Sequence, residues 1–225
     1  LSLGASAGVW EELEQDPKNP LLNRFKSTFA PGSVIKPITS AIGLREGTID
    51  WSDAVNINGL KWQKDNSWGS YFVTRVKEAN EAINLEKALM YSDNIYFAQK
   101  ALEIGAEKFK AGLESFGFNK DIPFAYPIEK STYGEIKSEV SLADSSYGQG
   151  QVEMSVFHLA ATYTTFINEG KMIKPILFLE EEKNQVWEDS LISTEQAQQL
   201  NNVLKKVVEN PNGTAYSSAR IEGYP

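Results

Sequence analysis

Two short polar clusters hold the residues best suited to chemistry. The first is Ser33-Val34-Ile35-Lys36, which follows Pro31-Gly32 and opens an apolar-periodic segment. Residues three apart share a helix face, so Lys36 falls one turn from Ser33. A serine hydroxyl is a weak nucleophile until a base takes its proton, and a lysine kept neutral by burial or by a nearby cation can be that base. A helix start adds backbone N–H groups and a partial positive charge, which lets the Ser33 N–H help hold a developing oxyanion. The second cluster is Ser92-Asp93-Asn94. It interrupts an apolar run, with Ala88-Leu89-Met90-Tyr91 before it and Ile95-Tyr96-Phe97-Ala98 after. Polar groups in such a setting must find hydrogen-bond partners.

Each cluster also has a plainer reading. Serine is a common helix N-cap, and Ser92 or Asp93 can cap a helix that starts at Ile95. Two details weigh against it for the first cluster. No other Ser-x-x-Lys occurs in the chain, and Pro37 follows the lysine inside the expected helix. There Pro37 is expected to remove the N–H that would bond Ser33 C=O, at some cost in stability. One Ser-x-x-Lys at a helix start and one Ser-Asp-Asn between helices together match a serine acyl-transfer set.

The elements that must position these clusters are mostly helical. Spacing predicts helices over 9–15, 33–44, 84–90, 95–104, 106–116 and 155–167, the last stopped by Asn168-Glu169-Gly170. Ser193 with Gln196 fits a capping box for a helix to Val208, after which Asn212-Gly213 turns the chain. Two β-hairpins are expected, over 55–76, broken by Lys64-Asp65-Asn66, and over 172–186. Residues 119–136 read as loop. The expectation is one mainly α domain over 1–225 with two small hairpins and no full central sheet.

Composition narrows the function. Apolar residues make up 41% and charged residues 23% of 225, a globular balance. The net charge of -8 argues against nucleic acid or an anionic membrane surface as the main partner. Cysteine is absent and His158 is the sole histidine, which leaves no thiol nucleophile, no His-rich or Cys-based metal site and a poor case for a Ser-His-Asp triad. No metal or cofactor is expected. No run of 18 or more apolar residues is present, and Leu1 to Gly8 lack the pattern of a signal peptide. Both ends read as cut from a longer chain. His158 is expected to be a satisfied helix residue, and Trp62 and Trp68 packing anchors rather than a sugar platform.

With these motifs in view, the chain resembles the transpeptidase domain of class B penicillin-binding proteins. The resemblance runs through Asn19-Pro20-Leu21-Leu22-Asn23-Arg24-Phe25, Pro31 to Pro37, Tyr91 to Ala98, Tyr147-Gly148-Gln149-Gly150 and Asn168-Glu169-Gly170. Trp62-Gln63-Lys64-Asp65-Asn66-Ser67-Trp68-Gly69, Val73-Thr74-Arg75 and Asp121-Ile122-Pro123 resemble the narrower branch that holds the low-affinity methicillin-resistance enzyme. The resemblance implies the helical part of the α/β serine D,D-transpeptidase fold. It also implies a transpeptidase that cross-links peptidoglycan stem peptides, is acylated by β-lactam antibiotics, and works at the extracytoplasmic face of the bacterial membrane beside other cell-wall synthesis proteins. Ser33 would be the acylated nucleophile, Lys36 its base, Ser92 a proton relay to the leaving amine, and Asn94 a holder of substrate amide and of Lys36. Gln149 would line the groove.

One family motif is missing. No Lys-Thr/Ser-Gly occurs, and Asn212-Gly213-Thr214-Ala215 lacks its lysine. These residues are therefore expected to stop short of that strand, with weakened reactivity. The competing expectation is a catalytically dead module that docks in a cell-wall complex. A β-lactamase or β-lactam sensor is disfavoured by the absence of a Glu-x-x-Leu-Asn segment and by Asp93 within the second motif.

Overall fold

The computed structural model describes residues 7–223. The expectations placed on Leu1–Ser6 and on Tyr224-Pro225 lie outside the described residues. Nine α-helices are present among them: α1 (Ala7–Gln15), α2 (Lys36–Arg45), α3 (Leu85–Met90), α4 (Asn94–Ile104), α5 (Ala106–Ser115), α6 (Glu139–Ser146), α7 (Val156–Thr164), α8 (Thr194–Glu209) and α9 (Tyr216–Ala219). Among the described residues, strand is confined to three antiparallel pairs. These are β1 (Thr28–Phe29) with β4 (Met154–Ser155), β2 (Lys61–Trp62) with β3 (Val73–Thr74), and β5 (Met172–Ile173) with β6 (Val186–Glu188). The chain is mainly helical, as expected, and no five-stranded sheet occurs among the described residues.

The core is built around α2. Its residues from Lys36 to Leu44 are all buried, because α3, α4, α5 and α8 pack around it. Ile38 and Ile42, with Ile35 just before the helix, face this core fully buried, and each such side chain contributes about 1.5–3 kcal/mol. Glycine allows the closest approach: a Cβ on Gly112 of α5 would lie 2.7 Å from Ile42 Cγ2. Side-chain caps start three of the surrounding helices. Asn84 caps α3, Asp93 caps α4, and Ser193 and Gln196 form the expected reciprocal box at α8. No helix among the described residues is long and apolar enough to cross a membrane.

Three features depart from the sequence reading. The segment at Ser33 is a 3-10 helix, Gly32–Ile35, and α2 starts only at Lys36. Pro37 thus stands in the first turn of α2, where an N–H has no intrahelical partner and proline is favoured. Ser33 C=O is satisfied by Lys36 N–H, so the cost assigned to Pro37 does not arise. A third strand pair, β1 with β4, joins segments far apart in the chain. Helix α6 was also not anticipated; Ser138 and Ser141 cap it reciprocally.

Candidate active site

The turn that presents Ser33 is made by glycine. Gly32 has φ +60 and Gly148 has φ +82, and the two backbones press together. Gly32 N–H donates to Gly148 O at 3.0 Å, and a Cβ on Gly148 would collide with Gly32 O. From α7, the Tyr163 hydroxyl donates to Val34 O at 2.9 Å. From α2, the Thr39 hydroxyl donates to Ser146 O of α6 at 2.8 Å. The result is an exposed Ser33 above a buried Lys36.

Lys36 Nζ is the hub. It lies 3.0 Å from Ser33 Oγ, 2.8 Å from Ser92 Oγ, 2.8 Å from Ser92 O and 2.7 Å from Asn94 Oδ1. The structure therefore brings Ser33, Lys36, Ser92 and Asn94 together. The orientation of the Asn94 amide follows from its other contact, since its Nδ2 donates to Thr74 O at 3.0 Å, an atom that can only accept. Burial pushes the Lys36 ammonium down to about 7, against a smaller upward pull from Asp93. A neutral amine has two N–H donors and one lone pair. Ser92 O and Asn94 Oδ1 can only accept and take both donors, which leaves the lone pair for the hydroxyl of Ser33 or Ser92. An amine so placed can take the Ser33 proton and pass it to Ser92.

Ser92 itself has φ +53, a left-handed conformation that a non-glycine residue holds at a cost of about 1–3 kcal/mol. What holds it is Asp93. Asp93 Oδ1 accepts from the N–H groups of Ile95 and Tyr96, at 2.9 and 3.2 Å, and Oδ2 accepts from Arg75 at 2.8 Å. The plainer reading of the second cluster is thus true of Asp93, while its neighbours face Lys36.

Gln149 is exposed, and among the described residues its side chain makes no hydrogen bond to the other four. Its backbone N–H bonds Asp144 O at 3.0 Å, and it is its neighbour Gly148 that touches the turn carrying Ser33. The Asn212-Gly213-Thr214 turn lies at the end of α3, where Thr214 N–H donates to Met90 O at 3.1 Å. His158 is buried, 2.7 Å from Ser131 Oγ and 2.8 Å from Phe116 O. The Phe116 carbonyl can only accept, so Nε2 carries the proton and Nδ1 accepts from Ser131. Burial holds this ring down to about 4. Trp62 and Trp68 pack edge to face, with ring centroids 5.4 Å apart.

Gly148, Tyr163 and Arg75 were not singled out from sequence as site residues. Each acts across a chain separation that spacing rules do not reach; Gly148 and Arg75 left marks in the sequence only as parts of Tyr147-Gly148-Gln149-Gly150 and Val73-Thr74-Arg75, not as contacts.

Comparison with known proteins bears on this site. The family model described as the penicillin binding protein transpeptidase domain matches residues 5–225. Penicillin-binding protein 3 of Bacillus subtilis is 46% identical over 216 residues, which cover 95% of this chain and 32% of that protein. The peptidoglycan D,D-transpeptidase PbpA of Mycolicibacterium smegmatis is 31% identical over 178 residues, 78% of this chain and 36% of that one. The chain thus spans about a third of the length of these relatives. Among solved structures, the imipenem acyl-enzyme of penicillin-binding protein A from M. tuberculosis superposes with a TM-score of 0.79 at 22% identity, over 96% of this chain and 52% of that chain. At that identity the likeness concerns the fold.

Proposed function

Because this chain belongs to the family of penicillin-binding protein transpeptidase domains, we propose that it is part of a serine D,D-transpeptidase that cross-links peptidoglycan stem peptides and is acylated by β-lactams. The observation that carries this is the buried, neutral-leaning Lys36 amine, 3.0 Å from an exposed Ser33 hydroxyl. Lys36 takes the proton as Ser33 Oγ attacks the carbonyl of a terminal D-Ala-D-Ala bond. The C–N bond then breaks, and the proton reaches the leaving amine through the Ser92 hydroxyl. The amine of a second stem peptide attacks the ester carbonyl, the C–Oγ bond breaks, and the proton the amine gives up returns through Ser92 and Lys36 to Ser33 Oγ. In a β-lactam the leaving amine stays tethered within the adduct, so the ester persists. Asn94 holds Lys36 and is the amide closest to hand for a peptide substrate. Gln149 stands beside Gly148 at the rim and is proposed only as a groove residue.

The finer features follow the same logic. Trp62 to Gly69 and Val73-Thr74-Arg75 support the branch of the low-affinity resistance enzyme. The missing Lys-Thr/Ser-Gly segment and the greater length of the relatives support a longer domain that supplies that strand, anchored on the outer side of the cytoplasmic membrane among other cell-wall synthesis proteins. The same missing motif favours a second reading, in which these residues serve as a docking module without activity.

Labelled penicillin and intact-protein mass decide between them. The expected result is one adduct on the longer protein, absent in Ser33→Ala, and slower labelling of the 225 residues alone, since losing one oxyanion donor lowers rate by about 10²–10³-fold. An adduct that survives Ser33→Ala, or none on the longer protein, would end the enzyme reading.

A further inference from the structure

Arg75 follows β3 and is buried, a place a guanidinium occupies only when paired. Nη1 donates to Asp93 Oδ2 at 2.8 Å, Nη2 to Ile57 O at 2.9 Å and Nε to Gly59 O at 2.9 Å. Asp93 is buried too, and lies between Ser92 and Asn94, the two residues that hold Lys36 from this side. It is the carboxylate whose field reaches Lys36. The other groups around Lys36 are uncharged: Ser33 from the 3-10 helix, Ser92 from the turn, and Asn94 and the Phe97 ring from α4. Further out, α7 brings Tyr163, whose hydroxyl is taken by Val34 O, and α6 brings Ser146, whose carbonyl is taken by Thr39.

A bare carboxylate beside a base favours the base's charged form. Here that carboxylate is paired with a buried cation, Arg75, at 2.8 Å. We infer that Arg75 is a positioning residue of acylation, whose buried guanidinium offsets much of the Asp93 charge felt by Lys36 and so favours the proton-accepting form of the amine. The inference rests on the reading of Lys36 as base. A buried ion pair is a weak source of stability, because desolvation offsets the attraction. Its position beside the base is what gives it a role.

The test follows Lys36 itself, by NMR titration of the protein labelled with 13C-lysine, with Lys36→Met assigning the signal. Arg75→Met should move the Lys36 titration upward by about one pH unit. Asp93→Asn, which leaves the guanidinium unanswered, should move it downward, and the double variant should return close to the starting point. Arg75→Lys should restore most of the shift. Opposite displacements that cancel report charge; packing damage would not reverse sign. An unmoved titration in Arg75→Met, or a double variant displaced as far as Arg75→Met, overturns the inference. If Arg75→Met does not melt cooperatively, Asp93→Asn decides alone: a downward move supports the inference, and no move or an upward one overturns it. In parallel, labelled penicillin at pH 7 should acylate Arg75→Met about five-fold more slowly, the change in neutral amine for one pH unit. If nothing is acylated yet Lys36 still moves as stated, the enzyme reading fails and the electrostatic hold of Arg75 on Lys36 stands.

Discussion

Replacing Gly148 with alanine tests whether the nucleophile turn is clamped from across the chain. Gly148 has φ +82, and its Cα faces the Gly32 backbone so closely that a Cβ would lie 2.6 Å from both Gly32 N and Gly32 C. Two effects add. Left-handed backbone disfavours alanine by about 1–2 kcal/mol. The overlap must push one backbone aside, which costs about 1–3 kcal/mol as in other overpacked sites. The sum is about 2–5 kcal/mol, and at about 2–4 °C per kcal/mol for this size it lowers Tm by roughly 5–20 °C. Gly32→Ala is the matched control. It has φ +60 but no atom within 4 Å of its Cβ, so only the strain of about 1–2 kcal/mol applies. Function separates the two further, because a shift of about 1 Å in the turn that carries Ser33 lowers acylation by about 10²-fold. Melting followed by circular dichroism and acylation by labelled penicillin read both quantities. Equal losses in the two variants, or a Gly148→Ala protein acylated at the wild-type rate, would refute the clamp.

Four other outcomes are expected. With Lys36 in its proposed role as base, the acylation rate should rise with pH through an inflection near 7, because the fraction of neutral amine grows across the lowered Lys36 value of about 7; a flat profile from pH 5 to 9 contradicts this. Asn94→Asp should shift that inflection upward, since it places a carboxylate where Asn94 Oδ1 stands, 2.7 Å from Lys36 Nζ; a profile unchanged by the substitution would exclude direct contact. His158 is held down to about 4 by burial, so the folded state binds fewer protons than the unfolded one between about 4 and 6.5. Stability should be lost as pH falls through that window, by on the order of 3 kcal/mol, and His158→Phe should flatten the urea midpoint against pH. Tyr163→Phe should lower acylation with a stability change of only about 1 kcal/mol, as one hydrogen bond to Val34 O is lost; equal kinetics would leave Tyr163 without a role at the turn.

Legibility in the sequence followed chain distance. Ser33 and Lys36 are three residues apart on one short turn, so their meeting needs only local geometry. Ser92 and Asn94 were visible as a polar break in apolar text, and their distance from Lys36 is set by α4 packing on α2. The capping box at Ser193 and Gln196 was visible for the same local reason. Pro37 was misjudged because periodicity does not separate a 3-10 turn from the first turn of an α-helix. Strands β1 and β4 hold two residues each, too few for an alternating pattern to register. Helix α6 is short and serine-rich, and its cap uses Ser141 where the familiar box has Glu or Gln. Arg75 stood in the sequence only as part of Val73-Thr74-Arg75; its burial depends on two loop carbonyls, Ile57 O and Gly59 O, that no spacing rule predicts.

The hold of Gly148 on Gly32, together with the pairing of Thr28–Phe29 with Met154–Ser155, imposes an order in time. Lys36 can meet Ser92 as soon as α3 and α4 exist. The serine turn cannot be clamped until the segment at 148–155 has been made. At synthesis rates of about 5–20 residues per second, the residues between the end of α4 at Ile104 and Ser155 take roughly 3–10 seconds. During this interval Lys36 has its partners while Ser33 has no fixed direction, so the nascent chain carries the four side chains without the assembled site. Hydrogen exchange on ribosome-stalled chains of increasing length should show the Ser92 N–H protected in chains that end before residue 148 and the Gly32 N–H only in chains that reach past 155, and the reverse order would contradict this sequence of assembly.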